Sequence, residues 1–67
     1  MNMKPAEFRK LRIKLGVTQL ELAKMLGVNP VSVSRWEIGS RHIAEPIAIL
    51  LRLLVKLDRL TPEARTV

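Results

Sequence analysis

The residues of this chain that could do chemistry are few and far apart. Its carboxylates are Glu7, Glu21, Glu37, Glu45, Asp58 and Glu63, its one imidazole is His42, and it has no cysteine. No nucleophile–base spacing appears among them, and His42 has no partners spaced as metal ligands. An enzyme, a metal site and a cofactor site are therefore not expected. What the chain does carry is cationic charge: 12 Lys and Arg against 6 acids, a net +6 and a pI near 10.9. The cations cluster in Arg9, Lys10, Arg12 and Lys14, then Arg35, Arg41 and His42, then Arg52, Lys56 and Arg59. Such a surplus favours a polyanionic partner, nucleic acid first and an anionic membrane second. The alternative is a charge that only keeps the chain soluble. A membrane-surface helix fits poorly, because the most basic segment needs its own apolar stripe for the core.

Those cations need elements to hold them. At 67 residues, 48% of them apolar, the chain is expected to form one domain (1–67), near the lower limit for folding on a hydrophobic core alone. The absence of cysteine excludes disulfides and suits a reducing cytoplasm. No apolar stretch follows the charge at Met1–Pro5, so a secretory signal is not expected. The longest apolar-rich run, 44–57, is interrupted by Glu45, Arg52 and Lys56 and is shorter than the ~20 residues a membrane span needs. The expectation is a soluble, cytoplasmic, all-α protein.

Gly16, Gly27 and Gly39 each end an apolar-periodic segment, as helix C-termini do. The first segment, 5–15, places Phe8, Leu11 and Leu15 at helical spacing, with Pro5 in its first turn and Lys4 a poor cap before it. The second opens on Thr18-Gln19-Leu20-Glu21, a capping box, and buries Leu22, Ala23 and Leu26. The third, NPVSVSRWEIGSR (29–41), alternates like a strand around Val31 and Val33. A lone strand could not satisfy its backbone, and the chain offers no second strand to pair with it. Read as a helix, Asn29 is the N-cap and Pro30 the first helical residue, with Val33 and Trp36 on one face.

The last helix is expected at about 44–57, with Pro46 in its first turn. Ile47, Leu50, Leu51, Leu54 and Val55 form a core stripe. Ile49, Leu53, Leu57 and Leu60 form a second one, and Ala48, Arg52, Lys56 and Arg59 the wet side. A helix apolar over most of its circumference has more than one partner. The second stripe fits a homodimer seam; the alternative is a thick core helix.

Between the second and third segments the turn Gly27-Val28-Asn29 sets the geometry. Ala23, four residues before Gly27, is small enough for two helices to cross closely, and Gly27 can take the positive backbone angle of a tight turn. Val33 points back into the angle, closed by Leu22, Leu26, Val28 and Trp36. This spacing is that of a helix-turn-helix, at about 18–38.

With LRIKLGVTQLELAKMLGV and VSRWEIGSR in place, the sequence resembles the lambda-repressor-like, Cro/XRE-type DNA-binding family over roughly residues 8–41. The resemblance implies a compact four- to five-helix bundle whose third helix enters the major groove of double-stranded DNA. By position it implies base contacts from Val31, Ser32 and Arg35. It likewise implies phosphate contacts from Gln19 and from the loop residues Ser40, Arg41 and His42, with Asn29 primarily a cap and only secondarily a phosphate contact. Arginine can bridge guanine O6 and N7, and valine can pack on a thymine methyl. Arg12 and Glu37 match positions that form a structural ion pair, and Trp36 matches a core position. Pro30 and Val31 stand where many relatives carry polar side chains, so specificity is expected to rest on Arg35, methyl contacts and DNA shape. The longer RHIAEP loop resembles that of small phage- or mobile-element-encoded autoregulators, including anti-CRISPR-associated repressors.

The leading expectation is a homodimeric repressor that occupies an inverted-repeat operator, with no small-molecule ligand. The second is an antitoxin-type interaction module whose apolar last helix binds a partner protein.

Overall fold

The structure, a computed structural model, describes residues 2–60; Glu63 lies outside them. Four helices follow one another: α1 (Pro5–Leu15), α2 (Gln19–Leu26), α3 (Pro30–Ile38) and α4 (Glu45–Leu60). Among the described residues no strand forms, and the fold is all-α.

Each boundary has a local cause. Lys4 makes no side-chain cap to α1, and Pro5 starts that helix. The Thr18 hydroxyl accepts from the Glu21 N–H, while the Glu21 carboxylate accepts from the Thr18 N–H, so the capping box is complete. The Asn29 side chain accepts from the Val31 N–H at 2.8 Å. That cap, with Pro30 at the first helical position, makes Pro30–Ile38 a helix against the β-propensity of its valines. At the C-terminus of α2, Gly27 has φ +72°, and the Val28 N–H reaches back to the Ala23 carbonyl at 3.0 Å. This closes a Schellman turn tight enough to set α2 against α3.

The core forms where the four helices converge. Phe8, Leu22, Val33 and Leu51, one from each helix, are its largest fully buried side chains. Phe8 and Trp36 meet with ring centroids 5.6 Å apart and planes tilted by 53°, an arrangement favourable for aromatic quadrupoles. Two core residues outside the helices, Met3 and Ile43, had no periodic signal. Both are buried, and Ile43 pins the α3–α4 loop to the domain.

The last helix departs from its expected pattern in three ways. It begins at Glu45 and runs to Leu60, one turn beyond the expected end. Ala48, expected on the wet side, is fully buried, and Leu50, expected in the core, is 37% exposed. The buried stripe is thus Ala48, Leu51 and Val55, flanked by Ile47 and Leu54. The rotation has a steric reason, since α4 packs on α1 and α2 and alanine permits the closest approach near its start. Arg52 is half-covered and reaches the Glu7 carboxylate of α1 at 3.5 Å, while Lys56 and Arg59 stay exposed.

Two substitutions separate packing from backbone strain. Leu22→Ala should cost about 2–5 kcal/mol through lost burial and the cavity left behind. Gly27→Ala should cost only about 1–2 kcal/mol, the left-handed penalty, because an added Cβ meets nothing within 4 Å. Urea denaturation followed by circular dichroism measures both; equal losses would contradict this assignment.

Candidate nucleic-acid interface

The orientation of α3 follows from its anchors. Val33 and Trp36 are buried, so the opposite side of this short helix must face out. That side carries Val31, which is 52% exposed, then Arg35, and then Ile38 on the next turn. Ser32 and Ser34 lie at its margins, partly covered.

The far end of α3 is held by a charged junction. Glu37 is the sole acid between Val28 and Ala44, and its side chain is only 3% exposed, against 14% for Arg12. Arg12 Nε donates to Glu37 Oε2, and Nη2 donates to Oε1 at 3.2 Å. A third donor, Gln19 Nε2, reaches Oε1 at 3.1 Å. Arg12 Nη1 also donates to the Val17 carbonyl at 2.9 Å, which holds the α1–α2 turn. One carboxylate therefore gathers α1, α2 and α3, and its charge is matched where it is buried. The cations along α3 and the following loop keep their positive field outside.

Gln19 differs from its expected posture. It stands at the start of α2, but one amide N–H is spent on Glu37 rather than directed away from the domain. The sequence shows two polar residues 18 apart and gives no sign that they meet.

After α3 the chain turns at Gly39, φ +83°. The Ser40 and Arg41 N–H groups both reach back to the Arg35 carbonyl, at 3.0 and 3.3 Å. Ser40, Arg41 and His42 are exposed. The Arg41 side chain runs back along α3, and its Nη1 donates to Ser32 Oγ at 2.8 Å. The structure thus brings Ser32, Arg35 and Arg41 onto one edge of α3 beside Val31. Asn29, engaged as the cap, marks the other end of that helix. The Ser32–Arg41 bond joins residues 9 apart, a separation at which no sequence periodicity signals contact.

The remaining candidates sit on α4. Ile49, Leu53, Leu57 and Leu60 are between 48% and 69% exposed, and with Leu50 they form one continuous apolar stripe along that helix. Among the described residues no group of His, Cys, Asp or Glu is placed to hold a metal ion. No described helix is long and apolar enough to cross a membrane.

A model of a helix-turn-helix family matches residues 8–58, most of the chain, spanning all but the first turn of α1 and the end of α4. No curated protein and no solved structure matches the chain.

The junction generates a test. Glu37→Ala should destabilise the domain by about 3–5 kcal/mol, because Arg12 is left as a largely buried charge without its partner. The double variant Arg12→Met/Glu37→Leu should recover most of that loss. Equilibrium unfolding of these two variants, with Arg12→Met and Glu37→Leu alone to complete the cycle, would measure the coupling; independent, additive losses would mean that the pair is not a unit.

Proposed function

The chain belongs to the Cro/C1-type helix-turn-helix family of DNA-binding regulators, and from that premise we propose that it is a sequence-specific, cytoplasmic, homodimeric repressor. The observation that carries the reading is the outward edge of α3. A helix of 9 residues spends Val33 and Trp36 on the core and leaves Val31 and Arg35 facing out, and its one acid, Glu37, is paired with Arg12. Those are side chains that discriminate base pairs in a major groove: arginine through guanine O6 and N7, valine through a thymine methyl. Ser32 lies on the same edge. Around it, Ser40 and His42 on the loop and Asn29 at the helix start stand where the phosphate backbone would pass. The second amide N–H of Gln19, with the first turn of α2, offers a further phosphate contact.

Ile49, Leu53, Leu57 and Leu60, joined by Leu50, supply the dimer seam. A stripe of five large apolar side chains is more than a small monomer ordinarily leaves in water. Pairing two copies there would present two α3 helices about one DNA turn apart, ~34 Å, and would call for an inverted-repeat operator. Repression needs only occupancy of a promoter, so this surface suffices for it.

The direct experiment is selection from random DNA duplexes at near-physiological salt. An enriched inverted repeat with half-sites ~10–11 bp apart is expected. Salt-sensitive retention with no enriched site would overturn sequence-specific reading. Arg35→Ala should cost about 1–3 kcal/mol and relax one position of each half-site. Leu53→Asp should give a folded monomer by light scattering with much weaker operator binding. A variant that stays dimeric would remove the seam from α4, and a wild-type monomer would assign the stripe to a different protein partner.

A further inference from the structure

The loop arginine Arg41 is held in a way that a phosphate contact does not require. Its backbone N–H is bound to the Arg35 carbonyl at 3.3 Å. The neighbouring Ile43 is buried, which fixes the path of the loop. The far end of the side chain is fixed as well, by the bond from Nη1 to Ser32 Oγ at 2.8 Å. An exposed arginine ordinarily keeps its rotamer freedom, and tying it at both ends costs side-chain entropy. A phosphate is a diffuse target that a free arginine or lysine can meet from many directions. A base edge is not, since guanine offers O6 and N7 in one plane at one separation. The guanidinium is a rigid planar fork, and one Nη1 bond leaves its other N–H groups directed away from Ser32.

The location agrees with this. Ser32 lies in the first turn of α3, one turn before Arg35, on the edge beside Val31. Arg41 therefore delivers a second cation to the outward edge of α3 from outside the helix. Few hydrogen-bonding side chains stand there otherwise, because Pro30 and Val31 occupy the start of the helix. Among the described residues no carboxylate meets the guanidinium, and Ser32 is a neutral acceptor beside the positive end of the α3 dipole. An electron-rich acceptor is what this placement lacks.

Resting on the reading of α3 as the element that enters the major groove, we propose that Arg41 is a base-reading residue specific for guanine, and that Ser32 is its positioning residue rather than an independent reader. The operator half-site then carries two guanines, one read by Arg35 and one by Arg41, with Val31 on a neighbouring thymine methyl.

Random-duplex selection on the full chain, run in parallel for wild type, Arg41→Ala, Ser32→Ala, Ser32→Thr and the double variant Ser32→Ala/Arg41→Ala, tests this. Arg41→Ala should lose about 10- to 100-fold discrimination for guanine at one half-site position and leave the others intact. Ser32→Ala should relax the same position, Ser32→Thr should retain it, and the double alanine variant should lose no more than Arg41→Ala alone. Thermal melts of the same samples check that every variant folds. If Arg41→Ala weakens all sequences equally, keeps the wild-type site and lowers the salt slope by about 1, then Arg41 is a phosphate contact and the proposal falls. If Ser32→Ala changes a different position, Ser32 reads for itself and the positioning role falls. Failure of the wild type to enrich any site would instead sink the underlying reading of α3, an outcome visible before any variant is compared.

Discussion

A single carboxylate organises this domain. Burying the Glu37 side chain in so small a protein carries a desolvation cost of several kcal/mol, and an ion pair offsets such a cost only when the geometry is good and the remaining lone pairs are met. Here the Arg12 fork covers both oxygens and the Gln19 amide takes the position left over. Arg12 comes from α1, Gln19 from α2 and Glu37 from α3, so the angle between the two helices of the helix-turn-helix and their seat on α1 are set at one point. The hydrogen bonds to Glu37 are directional, so they add a geometric constraint to the apolar packing of these helices.

From that junction the rest of α3 follows. With its C-terminal end fixed at Glu37, and Val33 and Trp36 driven into the core by their apolar area, the helix has no rotational freedom left. Val31 and Arg35 face out because nothing else is possible for a helix of this length with those anchors. The loop is then led by Gly39, the Arg35 carbonyl and buried Ile43, which returns Arg41 along the helix it has just left. One element supplies both the outward edge and the fixed point from which a second side chain is delivered to it.

The same logic shapes α4. A core this size can cover one stripe of a four-turn helix, and it takes Ala48, Leu51 and Val55. Ile49, Leu50, Leu53, Leu57 and Leu60 stay exposed because the other helices of the described residues are too short to wrap around them. Their exposure is thus a consequence of domain size, and it makes that face the natural place for a second surface to pack.

Much of this was legible in the residues. Thr18 with Glu21, Asn29 with Pro30, and the three glycines announce helix ends by local chemistry, since each acts on backbone groups within a few residues of itself. Phe8, Leu15, Leu22, Ala23, Val33 and Trp36 declare the core of the first three helices by period. The period failed on α4, where Ala48 and Leu50 exchanged the places expected for them. A helix apolar on nearly every side carries no internal mark of which stripe is inward, and close approach to the neighbouring helices decides it. Met3 and Ile43 lay outside any period. The meetings of Gln19 with Glu37 and of Arg41 with Ser32 join side chains far apart in sequence or on different elements. The sequence by itself determined where the first three helices begin and end, and which face of α3 is apolar, because those depend on short-range backbone and hydrophobic terms. Only the tertiary structure decided the rotation of α4, the partner of Gln19 and the position of the Arg41 guanidinium, because each depends on how separate elements are brought together in space.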